Sequence, residues 1–404
     1  MDRVYDIILY GATGFTGRQT VQYFHENAPQ TLSWAIAGRN KEKLAQLAAS
    51  YAPERTIDYW VASGDDREAL GDLCARTRVI LTTAGPFSAY GRALVDACVE
   101  HGVHYTDITG ETPFVADLIR AYHARAEAAG TRIVPFCGFD SVPSDAVAYL
   151  AAQYFRSKGK KLQSVFNGFT VRGGLNGGTM ATAFMLSASN QGAALRDVFL
   201  LNPEAHKPSD EARFNKDLRA PLHHPRLGWM APFFMGPVNT RVVRRSHALF
   251  AQDEQSYGDT FRYQEAWSCR SSWQAKSRTL SLGVIDGLMR RHWGRACVRP
   301  WVPKPGRGPS VKTMDQGFFR CQAIATAEDG EEAEVRMVAQ GDPGNRVTVT
   351  ALCEAALALA TDDLSSVTRT GGVLTPMTGL GDTLIARLKG VGWEMSVRPL
   401  DAGD

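Results

Sequence analysis

A doubly wound parallel α/β fold followed by a second, mixed α+β domain is the class this chain predicts, on three observations. The chain opens on an apolar run that breaks into spaced glycines, and short buried-type runs then alternate with amphipathic segments as far as residue 158. Beyond that point helices thin out and strand-like alternation takes over, as in Ala333, Val335, Met337 and Ala339. A length of 404 residues with 44% hydrophobic content is also more than one ordinary core uses, so at least two domains are expected.

The first element, Val4 to Tyr10, reads as a buried strand, and Gly11-Ala12-Thr13-Gly14-Phe15-Thr16-Gly17 as a tight turn into a helix with Val21 and Phe24 at helical spacing. That order suits a pyrophosphate. The strand must turn sharply, the backbone must approach the phosphate with no Cβ in the way, and the helix must offer unpaired N–H groups and its positive end. A glycine-rich structural turn is the plain alternative. The second strand, 32–37, ends in Gly38-Arg39-Asn40, where an NAD enzyme usually carries an acid for the ribose 2′-hydroxyl. Arg39 instead offers a guanidinium fork for a 2′-phosphate, with Lys43 one turn along, which favours NADP(H). Read plainly, Arg39 is a solvated loop residue and Asn40 the N-cap of a helix over 41–49.

A strand near 57–62 precedes the buried run 78–83, which opens into Ala84-Gly85-Pro86-Phe87 and sets Thr83, Ala84, Gly85 and Pro86 beside the cofactor. A helix over 92–101 stops at Gly102, a strand spans 103–108, and a helix with Thr112 as N-cap and Pro113 at its first position ends at Gly130. Strand 132–137 runs into Gly138-Phe139-Asp140-Ser141-Val142-Pro143-Ser144-Asp145, bringing Cys137 and Gly138 to the cofactor edge. Six strands with crossover helices make a Rossmann-type sheet, with ligands at the strand carboxyl ends. The expected units are 1–158 as dinucleotide domain, 159–345 as mixed α+β substrate domain, and 346–404 as a segment packing back on the first, with helices at 348–361 and 380–389.

A formal net charge of +3 gives no general case for nucleic acid. Seven scattered cysteines without a Cys-x-x-Cys pair point to free thiols in a reducing compartment. The chain enters its first strand at once and has no apolar run near the roughly 20 residues of a membrane span, so it reads as soluble and cytoplasmic.

Hydride reduction needs a nicotinamide against the substrate and a proton donor opposite. Asp140, Ser141 and Tyr90 are the candidates at the strand ends, followed by Asp107 and Glu111; each has a plainer reading as a turn, cap or pocket-wall residue. Tyr154-x-x-x-Lys158, with Ser141 upstream, copies short-chain dehydrogenase spacing, but Tyr154 lies roughly 15 Å along its helix from the strand ends. Cys98-x-x-His101-x-x-His104 mimics ligand spacing, yet Gly102 ends the helix between the histidines, so no metal is expected. The apolar stretch 229–238 precedes Arg241, Arg244 and Arg245, and seven Lys or Arg without an acid lie between Arg290 and Lys312 beside Trp293 and Trp301. Together they suit an apolar tail on an anionic head, such as an acyl or polyketide chain on a carrier or coenzyme A, or shallow contact with a membrane surface. Core packing plus a solvated basic loop is the alternative, and Thr179 either touches substrate or closes a turn.

The glycine turn, Ala37-Gly38-Arg39, Gly85-Pro86-Phe87 with Tyr90-Gly91, Tyr105-Thr106-Asp107 with Gly110-Glu111, and the 138–145 stretch together resemble the saccharopine dehydrogenase-like oxidoreductases, in their bacterial trans-acting enoyl reductase branch. Gly177-Gly178-Thr179, Trp229 to Arg245, Gly341-Asp342-Pro343-Gly344 and Gly372-Val373-Leu374-Thr375-Pro376 extend the resemblance over nearly the whole chain. It implies an NADP-binding domain, a substrate and dimerisation domain, hence a homodimer, and reduction of an apolar enoyl substrate in lipid metabolism. A saccharopine-type C=N reductase and a nucleotide-binding or lipid-associated scaffold without turnover stay open beside it.

Overall fold

Two seven-stranded sheets share this chain, whose computed structural model describes residues 3–52, 54–174, 194–207, 215–301 and 306–401. The first sheet comprises β1 (Tyr5–Tyr10), β2 (Trp34–Gly38), β3 (Asp58–Val61), β4 (Thr77–Thr82), β5 (His104–Asp107), β6 (Arg132–Val134) and β13 (Gly372–Val373). Its order is β3-β2-β1-β4-β5-β6-β13 and every pairing is parallel. The order reverses between β1 and β4, and this switch point opens the crevice in which such sheets bind ligands.

The helices that follow these strands are α1 (Phe15–Asn27), α2 (Lys41–Ala49), α3 (Arg67–Ala75), α4 (Phe87–Glu100), α5 (Thr112–Ala128) and α6 (Val142–Ser157). Alternate side chains of the strands feed two cores. Ile7, Leu9 and Leu81 pack with Val21 and Phe24 on one face; Ile8, Tyr10 and Ile80 pack with Leu70, Leu94 and Val95 on the other. Burial on both faces explains why these strands read as continuous apolar runs rather than alternating ones.

The second sheet contains β7 (Leu162–Arg172), β8 (Leu222–His224), β9 (Gly228–Pro232), β10 (Arg262–Cys269), β11 (Phe318–Ala327), β12 (Glu332–Gln340) and β14 (Glu394–Leu400), in the order β14-β12-β11-β7-β10-β9-β8. Only its β7–β10 pair is parallel. Around it lie α7 (Gly236–Gln252), α8 (Ser272–Met289), α9 (His292–Val298) and α10 (Val311–Asp315). The carboxyl-terminal part divides. α11 (Thr348–Thr361) lies with α1 against β1, β4 and β5, α12 (Pro376–Gly390) packs on α6, and β13 extends the first sheet. β14 then leaves that sheet and pairs with β12, Val397 opposite Val335, at the edge of the second.

α12 starts at Pro376 rather than at residue 380, because Thr375 caps it by accepting from the Thr378 nitrogen. Two helix starts of the first sheet's domain also differ from the sequence expectation, for one reason. α4 begins at Phe87 rather than at residue 92, because the Phe87 and Ser88 N–H groups donate to the two carboxylate oxygens of Glu111, at 2.7 and 2.9 Å. Glu111 is itself the N-cap residue of α5, one position before Thr112. A cap supplied from the next strand end leaves no trace in the local pattern.

Candidate cofactor and active site

The turn from β1 to α1 is built by close backbone approach. Gly11 has φ +86°, and a Cβ there would lie 2.9 Å from the Ala84 nitrogen. A Cβ on Gly17 would lie 2.2 Å from the Gly11 carbonyl oxygen, so only glycine lets α1 sit this near the strand end. Gly14 is exposed and would meet just the Gly11 oxygen, at 3.3 Å. No side chain caps α1, whereas Asn40 and Asp66 cap α2 and α3 by accepting from the Lys43 and Ala69 nitrogens at 2.8 and 3.0 Å. The first-turn N–H groups of Phe15, Thr16 and Gly17 thus stand beside an exposed glycine with no carboxylate or hydroxyl of the described residues on them. This arrangement fits the pyrophosphate of a dinucleotide.

Across the crevice, the Thr83 N–H donates to the Tyr10 oxygen at 3.0 Å and its hydroxyl to the Gly11 oxygen at 3.2 Å. Thr83, Ala84, Gly85 and Pro86 therefore stand against the glycine turn, each at least partly accessible. The Thr13 carbonyl accepts from Arg18, and the half-buried Phe15 ring is covered by the backbone of Gly308, where a Cβ would lie 2.3 Å from the ring.

At the end of β2, Arg39 and Lys43 are both exposed, and neither guanidinium nor ammonium has a partner among the described residues. Asn40 is occupied as a helix cap. The Tyr10 hydroxyl donates to the Ala62 oxygen at 3.2 Å; burial raises its pKa, the Arg39 charge opposes that rise, and Asp65 adds to it. Tyr90, a candidate proton donor by sequence, is 45% exposed and packs by Gly64, whose Cβ position lies 3.5 Å from the Tyr90 Cβ. That puts it on the β3 side of the switch point, away from the loop after β6.

The other candidates lie at the end of β5 and in the loops after β5 and β6, and the structure separates them. Asp107 is fully buried and accepts from the Tyr105 hydroxyl, the Thr109 N–H and the Phe136 N–H at 2.7, 2.9 and 3.2 Å; burial pushes its pKa up to about 7. These bonds hold Phe136 at φ 65°, a left-handed conformation that costs a non-glycine residue about 1–3 kcal/mol. Both Asp107 and Glu111 thus brace turns. The Cys137 thiol donates to the Val134 oxygen within the core, and Gly138 is buried against Thr348 and Ile108, so neither offers a side chain to the crevice.

Ser141 is committed as well. Its hydroxyl donates to Asn239 Oδ1 at 3.2 Å, and Asn239 donates to Glu265 at 2.8 Å. Glu265 also accepts from Ser144 and Tyr263, at 2.7 and 2.9 Å, and burial raises its carboxyl to about 7. Asp140 differs from all of these. It is half-buried, its carboxyl has no hydrogen-bond partner among the described residues, and burial pushes it up to about 6. Its neighbour Phe139 packs on Phe169 and Phe319, ring centroids 6.0 and 5.3 Å away, which fixes Asp140 where the first sheet meets the second. Phe233 stacks on Phe169 at 4.6 Å, and Met235 reaches within 3.6 Å of the Gly110 Cβ position, bringing the 233–235 segment to the turn after β5. Phe234, 42% exposed between Phe233 and Trp267, presents an apolar surface there.

The three arginines read as partners for an anionic head are spent internally. Arg241 pairs with Asp217 at 2.6 Å and donates to the Leu195 oxygen, Arg244 donates to the Val198 oxygen, and Arg245 to the Leu201 and Val373 oxygens. All three are buried, bracing the 194–202 segment against α7. Lys158 is held by Glu331 at 2.5 Å and lies over the Tyr154 ring, at the far end of α6. Cys98 faces Cys74 at 3.8 Å while His104 accepts from the Arg132 N–H, so Cys98, His101 and His104 do not converge. Thr179 with Gly177 and Gly178, and Lys304, lie outside the described residues.

Residues 7–134 match the saccharopine dehydrogenase NADP-binding domain, and the cofactor is accordingly NADP(H). A Mycobacterium tuberculosis protein named as a candidate trans-acting enoyl reductase is 37% identical, with 96% of each chain covered. The trans-acting enoyl reductase of Mycobacterium ulcerans is 35% identical over 98% of this chain and 99% of its own. Among solved structures, saccharopine dehydrogenase (L-Glu forming) from Saccharomyces cerevisiae shares the fold with a TM-score of 0.52 at 14% identity, covering 98% of this chain and 100% of its own. Homospermidine synthase from Legionella pneumophila, solved with NAD, does so with a TM-score of 0.54 at 10% identity, covering 99% and 92%.

Proposed function

The chain belongs to the trans-acting enoyl reductase family, and from that premise we propose that it reduces the C=C bond of an apolar enoyl thioester. NADPH, held by the glycine turn and Arg39, would supply the hydride that the β-carbon needs. Asp140 supplies the proton to the α-carbon, leaving a saturated thioester and a carboxylate that water reprotonates. The observation that carries this assignment is the Asp140 carboxyl, without a hydrogen-bond partner among the described residues and raised to about 6 at the junction of the two sheets, while Ser141, Asp107 and Glu111 are held in internal hydrogen bonds. We assign Gly11, Thr13, Gly14, Phe15, Thr16, Gly17 and Thr83 to Pro86 to the pyrophosphate side, and Arg39 with Lys43 to the 2′-phosphate. Phe234 and Trp267 give the acyl chain its apolar wall.

Reduction of a C=N bond in an amino-acid adduct would call for free cations at the substrate end. The commitment of Arg241, Arg244 and Arg245 to internal partners weighs against it. NADPH oxidation with a panel of medium-chain enoyl thioesters and cyclic imines tests the proposal. Turnover of enoyl thioesters alone is expected. Turnover of imines alone would replace the proposal with the C=N reading, and binding of NADPH with no turnover of either would replace it with a scaffold. The seven free cysteines fit a reducing cytoplasm, and the expected homodimer is read by sedimentation velocity.

A further inference from the structure

Eighteen residues of α8 bury just two, Ala275 and Met289. The rest of the helix leaves large apolar side chains in water: Trp273 is 76% exposed, Leu280 70%, Val284 52% and Ile285 51%, and Trp293 on α9 is 57% exposed. At 3.6 residues per turn, Trp273, Leu280 and Val284 fall within roughly 40° of one line along the helix. The charged residues around this stripe are mostly basic. Arg290, Arg291 and Arg299 are exposed, Asp286 is the one acid in α8, and no acid follows it until Asp315.

We propose that α8 and α9 dock the protein on an anionic lipid surface, with the Trp273–Leu280–Val284 stripe in the headgroup boundary and the arginines on the lipid phosphates. A helix that exposes tryptophan and aliphatic side chains beside cations rests in the interface plane, tryptophan at headgroup level and cations alongside. α8 among the described helices is not long and apolar enough to cross a membrane, which agrees with a flat arrangement. Charge decides against a second copy as the occupant. A twofold contact through this face would set the same cations against each other with one acid per chain to answer them, whereas anionic lipid neutralises them. The docking face is also continuous with the apolar wall. Arg278 of α8 stacks on Trp267 at 4.3 Å and donates to the Ser268 oxygen, and Trp267 neighbours Phe234. Lipid held by α8 would stand beside the surface assigned to the acyl chain.

This inference draws its purpose from the apolar-substrate reading, but its test needs no turnover. The full chain is floated with phosphatidylcholine vesicles prepared with and without phosphatidylglycerol, at low and high salt. Wild type is expected to float with the phosphatidylglycerol vesicles and to be released in large part by salt. The Trp273→Ser, Leu280→Ser, Val284→Ser triple variant is expected to bind them at least about tenfold more weakly, with unchanged circular dichroism and NADPH affinity. Arg290→Gln, Arg291→Gln, Arg299→Gln together should remove the preference for phosphatidylglycerol. Wild type that never floats, or a serine variant that floats as wild type does, overturns the proposal. So does a serine variant that turns a dimer into a monomer while wild type ignores vesicles, since the face then joins two copies. Vesicle binding without enoyl reduction leaves this inference standing and defeats the proposed reaction instead.

Discussion

Two helix starts face each other across the switch point, and they meet the same physical demand in opposite ways. α1 begins at exposed Gly14 with no side chain on its first N–H groups, while α4 begins at Phe87 with both oxygens of Glu111 already on its own. Each start follows a strand of the same sheet and each carries the positive end of a helix dipole. What separates a ligand site from a structural joint is therefore whether the protein supplies the anion itself. In the proposed assignment the open start is left for the cofactor phosphates, and the closed one fixes the turn against which they would lie.

Breaking the open start should have the largest effect. Gly14→Val sets a branched side chain where the backbone must meet the pyrophosphate, and should weaken NADPH by more than about a hundredfold while the chain still folds, read by calorimetry and circular dichroism. Retained affinity would place the nucleotide elsewhere. Breaking the closed start should do the reverse. Glu111→Ala leaves two N–H groups without their carboxylate and should cost about 2–3 kcal/mol of stability in a denaturant titration, with a far smaller change in NADPH affinity.

The comparison sharpens at the end of β2, where a free and a committed residue are adjacent. Arg39→Asp should weaken NADPH by roughly ten- to a hundredfold and NADH hardly at all, since a charge-assisted bond to the 2′-phosphate is lost from one cofactor only. Equal losses for both would remove the 2′-phosphate role. Asn40→Ala should cost about 1 kcal/mol of stability through the lost cap and leave the preference between the two cofactors unchanged.

The features legible in the sequence are those set by local geometry. The glycine spacing of the first turn, the apolar runs of the first sheet, the Asn40 cap and the helix over 348–361 all follow from a few neighbouring residues. The features that escaped depend on partners distant in the chain. Arg241, Arg244 and Arg245 look like surface cations until Asp217 and the carbonyls of 195–201 are folded around them. Ser141 looks like a free hydroxyl until α7 delivers Asn239, and the last strand gives no sign that it will leave the first sheet's neighbourhood for β12. Candidate catalytic groups could be proposed from topology, but choosing among Asp140, Ser141 and Tyr90 required knowing that the fold engages Ser141 and sets Tyr90 on the β3 side of the switch point.

The proton-donor assignment is tested most directly by the pH dependence of enoyl reduction in wild type and Asp140→Asn, with NADPH affinity measured in parallel. A general acid works in its protonated form, so wild-type kcat should fall as pH rises through about 6. The asparagine variant should lose roughly 10²- to 10⁴-fold in kcat, bind NADPH as wild type does, and show no such falling limb. An Asp140→Asn enzyme with near-wild-type kcat, or with the same falling limb, would contradict the assignment and return the proton to another group.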